Sequence, residues 1–189
     1  MIHLALTTKP IDETGARLAV ATFFEDLRPL KGQVGLLDWR LNGRLSELIL
    51  KGKIEGKFME ALMMPSSGRI GSPEILLFGL GLSTEATEKR LTEAFSAIID
   101  KIQLLKGTEF VISFSDLASD FMGWRGLIRS FVTMLAMKCG EEEFRVVCSE
   151  EPRWENEARR RNMDFGPSVT LHYDEESVEG EKGVSADVA

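Results

Sequence analysis

GLLDWRLNG, residues 35 to 43, is the stretch on which the reading of this chain turns. It has the spacing of an amphipathic helix, since Val34, Leu37, Leu41, Leu45 and Leu48 recur at intervals of three and four, and Lys51-Gly52 ends the run. Gly43 interrupts the pattern, at about 1 kcal/mol relative to alanine inside a helix. The stretch reads as one continuous helix. Gly43 then marks the close approach of another backbone, Asp38 lies near the helix N-terminus where the dipole favours its charge, and Trp39 covers a core edge or an interface.

Strands flank this helix. Ile2–Thr7 alternates, with Ile2, Leu4 and Leu6 on one face. LAVATFF, over Leu18–Phe23, is apolar on both faces, as a central strand is. Phe58–Met63 and Glu74–Phe78 follow, joined by the turn-rich PSSGRIGSP. The clearest helix carries Leu91, Ala94, Phe95, Ile98, Ile99, Ile102 and Leu105, with Gly107 in the position of its C-cap glycine. Strand Glu109–Phe114, a loop from Ser115 to Gly123 and a helix from Trp124 to Lys138 come next. Strand Phe144–Cys148, a short helix opened by Pro152 and a last strand, Val169–Tyr173, complete the order. Alternating strands and helices in the second half imply parallel crossovers. The expected fold is α/β, a three-layer α/β/α sandwich around a mixed, mostly parallel sheet over residues 1–173. Residues 174–189, acidic and nearly without apolar bulk, are expected to be a disordered tail.

Composition narrows the function classes. At 189 residues, 43% hydrophobic and 28% charged, the chain has the balance of one globular domain with a sizeable core. A net charge of -7 argues against a general nucleic-acid binder, and no apolar run reaches membrane-spanning length. MIHLALTTKP lacks the basic and long apolar regions of a signal peptide, and Cys139 and Cys148 sit in apolar surroundings, so the expectation is a cytoplasmic protein with two reduced thiols.

The search for chemistry finds little that is catalytic. His3 and His172 are the sole histidines and have no ligand-type partner at i+3 or i+4. No G-x-S-x-G elbow occurs, and no cysteine has an activating histidine nearby in sequence. No catalytic residue, metal or cofactor is expected. The acidic run Glu141–Glu143 reads as solvated loop, and Glu150 and Glu151 as complements to a helix dipole. Two loops have suggestive physics. FGLGLSTE, residues 78 to 85, places Gly79 and Gly81 before Ser83 and Thr84 at a helix start. Its backbone N–H groups either face a small anion, or Ser83 or Thr84 simply caps the helix. The second loop supplies Ser115, Asp116 and Gly123 at the end of the neighbouring strand, with Asp120 as a further candidate helix cap. Ligands of open α/β sheets favour such strand-end crevices.

The runs FFEDLRPLKGQVGLLDWRLNGRLSELILKGKIEGK and MMPSSGRIGSPEILLFGLG resemble the N-terminal domain of leucyl (cytosol) aminopeptidases over roughly Ala19 to Gly81. The α/β order extends that likeness to about Tyr173. The resemblance implies a macro-domain-like fold that, in those enzymes, packs beside a separate two-metal catalytic domain and contributes to hexamer assembly. Catalysis is not implied here, because the catalytic ligand set is expected to be absent. The favoured expectation is a non-catalytic module for assembly or regulation, with itself or with a protein partner. The alternative is a module binding a nucleotide or ADP-ribose-like ligand, although ATFFED and SDLASDFMG stand where macro domains carry asparagines and a glycine-rich loop. A metal-dependent aminopeptidase is the least favoured reading.

Overall fold

Alternating apolar side chains in Leu18–Phe23 demand cover on two sides, and the chain supplies a helical layer for each. The computed structural model describes residues 1–117 and 122–173. Asp120 and the segment 174–189, expected above to be a helix cap and a disordered tail, lie outside the described residues. The strands are β1 (Ile2–Thr7), β2 (Leu18–Phe23), β3 (Ala61–Pro65), β4 (Glu74–Gly79), β5 (Glu109–Ile112), β6 (Phe144–Ser149) and β7 (Val169–Tyr173). They form a seven-stranded sheet in the order β3-β4-β2-β5-β6-β1-β7. Only the β3–β4 pairing is antiparallel. The mixed, mostly parallel α/β sandwich expected from the sequence is the observed fold.

Helices α3 (Glu88–Leu104), α4 (Trp124–Cys139) and α5 (Pro152–Arg161) cover one face. There Phe95, Ile98, Phe131 and Leu135 pack with Leu4, Val20, Phe110 and Val146 of the strands. Phe95, Phe114 and Phe131 meet edge-to-face, with centroids 5.4 to 5.7 Å apart. Helices α1 (Gly32–Arg40) and α2 (Arg44–Leu50) cover the other face, where Leu37, Leu41 and Leu45 meet Ala19, Ala21, Leu77 and Val111.

The helix expected as one unit over residues 34–48 is therefore two, and GLLDWRLNG is the joint. Asn42 and Gly43 both take left-handed conformations, at φ 56 and 74. The Gly43 amide donates to the Asp38 carbonyl at 2.8 Å and the Asn42 amide to that of Trp39 at 3.0 Å, the paired bonds of a Schellman ending. Asp38 then starts the next helix: its Oδ1 accepts from the amides of Leu45 (2.8 Å) and Ser46 (3.1 Å), and its Oδ2 from the Ser46 hydroxyl. The close backbone approach expected at Gly43 occurs instead at Gly35, where a Cβ would lie 2.8 Å from the Leu30 carbonyl oxygen; nothing lies within 4 Å of a Cβ at Gly43. Left-handed backbone, not crowding, selects that glycine.

Further boundaries differ from expectation, β5 among them, which ends at Ile112 and not at Phe114. Residues Phe58 to Glu60 precede β3 as a turn, with Met59 at φ 63. At the end of α3 the left-handed residue is Lys106 (φ 52), and Gly107 follows it, donating to the Ile102 carbonyl at 2.9 Å.

Both devices at the α1–α2 joint are open to test. Asp38→Ala is expected to lower unfolding free energy by about 1 kcal/mol through loss of the α2 cap. Gly43→Ala is expected to lower it by roughly 1–2 kcal/mol through left-handed strain. Urea denaturation followed by circular dichroism measures both; a Gly43→Ala protein as stable as the parent would contradict the assignment.

Candidate functional site

Five of the strands run parallel with β2, so their C-terminal ends share one edge of the sheet. Because β2 lies between β4 and β5, its exit loop, residues 24–31, runs between the two loops that the sequence singles out. A cleft of about 320 Å³ opens there, walled by Phe23, Phe24, Leu27 and Leu30, with Lys31 and Asp116 among its polar members. Clefts at such strand ends are the usual ligand sites of open α/β sheets.

The FGLGLSTE loop is knitted into its surroundings. The Gly79 amide donates to the Glu60 carbonyl, Leu80 to Phe23 and Gly81 to Gly56, all between 2.8 and 2.9 Å. A Cβ on Gly79 would stand 2.2 Å from the Lys57 carbonyl oxygen, and Gly81 has φ +77. These glycines let two backbones touch and turn. Ser83 and Thr84 lie in a 3-10 turn, Ser83–Glu85, ahead of the helix. The N-cap of α3 is Thr87, whose side chain accepts from the Arg90 amide at 3.2 Å. Ser83 instead turns to the β2 exit loop, its amide donating to Asp26 Oδ1 at 2.8 Å and its hydroxyl to Oδ2 at 2.7 Å. Those two bonds hold the Asp26 carboxyl below its usual range.

The second loop is anchored from below. Glu150, expected from the sequence to complement a helix dipole, is buried. Its Oε1 accepts from the Phe114 amide at 2.8 Å and its Oε2 from the Ser115 hydroxyl at 2.5 Å. Ser115 Oγ in turn accepts from the Glu151 amide at 3.1 Å. Burial pushes the Glu150 carboxyl up to about 7, against the opposing pull of these bonds. Asp116, next along, reaches the N-terminus of α1: its Oδ2 accepts from the Gln33 amide at 2.9 Å. The contact with Gly32 is so close that a Cβ on that residue would lie 2.1 Å from the same oxygen. Burial raises the Asp116 carboxyl, the Gln33 amide opposes that rise, and the Glu151 charge adds to it.

The sequence-named residues thus divide. Asp116 lines the cleft, Ser115 lies buried beneath it, and Ser83 joins its rim through Asp26. Gly79 and Gly81 shape the adjoining loop, while Gly123 stands apart as the N-cap of α4. Asp26, Lys31, Gln33 and Glu150 carry structural or site roles that local sequence does not signal. His3 and His172 stack with centroids 5.8 Å apart, and His3 Nε2 meets Glu143 at 2.8 Å. Among the described residues no three His, Cys, Asp or Glu side chains are grouped to hold a metal ion, and no helix is long and apolar enough to cross a membrane. Cys139 and Cys148 are buried and unpaired.

The family model for the N-terminal domain of the cytosol aminopeptidase family matches residues 19–138. The probable cytosol aminopeptidase of Sulfurihydrogenibium sp. (strain YO3AOP1) is 30% identical over 111 residues, 59% of this chain and 22% of that protein. The cytosol aminopeptidase of Buchnera aphidicola subsp. Acyrthosiphon pisum (strain APS) is 32% identical over 125 residues, 66% of this chain and 24% of that protein. The chain spans about a quarter of the length of these curated relatives. Among solved structures, the macro domain of ganglioside induced differentiation associated protein 2 superposes with TM-score 0.64 at 14% identity, over 87% of this chain and 84% of that one. Tomato leucine aminopeptidase gives 0.59 at 14% identity, over 86% and 35%. An Oceanobacillus iheyensis macrodomain described with ADPR gives 0.59 at 11% identity, over 83% and 90%. At such identities these likenesses show the macro-domain fold alone.

The buried Glu150 sets a pH dependence of stability. Its carboxyl binds a proton near pH 7 in the folded protein, against 4.5 for an ordinary glutamate. The native state therefore holds the extra proton between those values, and stability falls as pH rises from about 4.5 to about 7. Glu150→Gln keeps both hydrogen-bonding positions without the charge. The variant is expected to match the parent near pH 4.5 and to gain on it by on the order of 2–3 kcal/mol by pH 8. Denaturant titrations across that range measure the gap; parallel curves would show that Glu150 titrates in the fold as it does in the unfolded chain.

Proposed function

The chain belongs to the cytosol aminopeptidase family through its N-terminal domain, and from that premise we propose that it serves as a non-catalytic interaction module that docks on itself or on a protein partner. The observation carrying this reading is the outer face of α1. Trp39 is 69% exposed and Leu36, one turn earlier, is 41% exposed. Arg40 lies over the Trp39 ring at 5.1 Å, and is itself fixed by Asp12 (2.5 Å) and Glu13 (2.8 Å). An exposed indole with a pinned guanidinium beside it has the composition of a binding hot spot, and prior ordering lowers the entropy lost on docking. The described residues also bring together no metal-ligand cluster of the kind a two-metal hydrolase uses. The compartment that fits is the cytoplasm, in keeping with the names of the relatives and with two free thiols.

A second reading is favoured by the formed cleft at the end of β2, whose size and mixed lining suit a small molecule. An ADP-ribose-like nucleotide is the ligand that fold analogy suggests. Asp26 and Asp116 already occupy backbone donors on two sides of this region, so the local chemistry does not favour a diphosphate.

Sedimentation or light scattering at increasing concentration tests the interaction reading. Self-association weakened roughly ten-fold or more by Trp39→Ser would support docking through α1. A parent protein that stays monomeric and a Trp39→Ser variant that retains every partner contact would oppose it. With added zinc or manganese, no hydrolysis of leucine amides is expected; chelator-sensitive turnover would sink the non-catalytic assignment.

A further inference from the structure

The features of the strand-end cleft that would draw an anion are already in use. The N-terminus of α1 has its negative partner in Asp116, which accepts from the Gln33 amide and presses against Gly32. The Ser83 amide is held by Asp26. The guanidinium of Arg28, in the lining, donates to the carbonyls of Phe24 (2.6 Å), Leu27 (2.8 Å) and Glu55 (2.8 Å). Lys31, also in the lining, is exposed, and its flexible stem lets the ammonium swing into solvent.

Asp116 has the opposite character. Its Oδ2 takes the Gln33 amide, while its Oδ1 receives no hydrogen bond from the described residues. No cation pairs with it among the described residues, and burial raises its carboxyl while the Gln33 amide opposes the rise. Phe23, Phe24, Leu27 and Leu30 give the same cleft apolar walls. A carboxylate with one open oxygen beside aromatic and aliphatic walls is complementary to a molecule that is apolar at one end and cationic at the other.

We propose that the cleft binds a small molecule with an apolar body and a protonated amine, Asp116 Oδ1 accepting from the ammonium while Phe23, Phe24, Leu27 and Leu30 enclose the body. This rests on the ligand-binding reading of the cleft and names its ligand class. The volume, about 320 Å³, suits a single ring or a short branched chain. A phosphate or carboxylate ligand would instead have to sit beside the Asp116 charge.

Three probes of one shape separate the charges: phenethylammonium, 2-phenylethanol and 3-phenylpropionate. Each is titrated into the full chain while the amide resonances of Gln33, Asp116 and Leu117 are followed by NMR. Phenethylammonium is expected to shift these amides with the highest affinity of the three. Asp116→Asn, which keeps an acceptor for the Gln33 amide, is expected to weaken it about ten-fold. Lys31→Gln, at an exposed position that needs no refolding of the site, is expected to tighten it about two- to three-fold by removing a like charge. An affinity for 3-phenylpropionate equal to or above that for the ammonium overturns the proposal but leaves a ligand cleft. So does an ammonium affinity indifferent to both substitutions. No shift with any probe overturns the cleft reading as well.

Discussion

The architecture depends on β2 being enclosed on all sides. Its edges are hydrogen-bonded in parallel to β4 and β5. Its faces point into different cores, Leu18 and Val20 to that of α3 and α4, Ala19, Ala21 and Phe23 to that of α1 and α2. A six-residue strand buried this way requires a helical layer on each side, because a bare apolar face would remain in water. The enclosure also fixes where the chain emerges. Leaving the middle of a parallel sheet, it passes between the β4 and β5 exits, so the cleft follows from the strand order.

Carboxylates then do the work of holding those exits. Asp26 fastens the β4 loop to the β2 loop, Asp116 fastens the β5 loop to the start of α1, and Glu150 fastens the β5 loop to the end of β6. Asp38 performs the same service between α1 and α2. In each case a side-chain oxygen accepts from the amide of a different segment, so a loop donor finds an internal partner and does not wait for solvent or ligand. Phosphate-binding loops depend on such donors being free. Here the loops are ordered by anions belonging to the protein, and the cleft between them is left with a different electrostatic character from that of a phosphate cradle.

Local periodicity made much of the fold legible. The strands β1, β2, β4, β6 and β7 and the stripes of α3 and α4 follow directly from spacings of two and of three or four, because burial on one face is a local constraint. The break in α1–α2 was hidden for a physical reason. Leu37, Leu41 and Leu45 keep helical spacing across it, and all three reach the same core, so the apolar pattern continues where the backbone does not. The wiring of the site was less legible still. Asp26 and Ser83 are 57 residues apart and Gln33 and Asp116 are 83 apart, and one chain read alone holds no sign of such pairings. Glu150 and Glu151 read alike in the sequence, but Glu151 is the N-cap residue of α5 while Glu150 is buried against Phe114 and Ser115. Charge in a run does not reveal which member is buried.

Family and fold therefore account for the scaffold, and the local chemistry must account for its use. The sequence family ties residues 19–138 to an aminopeptidase N-terminal domain, and the shared macro-domain fold comes with 14% identity or less to the solved structures compared. Neither likeness specifies what meets the surface. Helix α1 borders both of the surfaces described above, the cleft and the exposed patch around Trp39. The nine residues of α1 present Gln33 to Asp116 at the cleft, Leu36 and Trp39 to the outside, and the Asp38 cap to α2. A helix of that length spans roughly 13 Å. Its seating is set at one end by the same carboxylate that faces the cleft. The Asp116–Gln33 bond thus fixes the N-terminus of the same short helix whose outer side exposes Leu36 and Trp39.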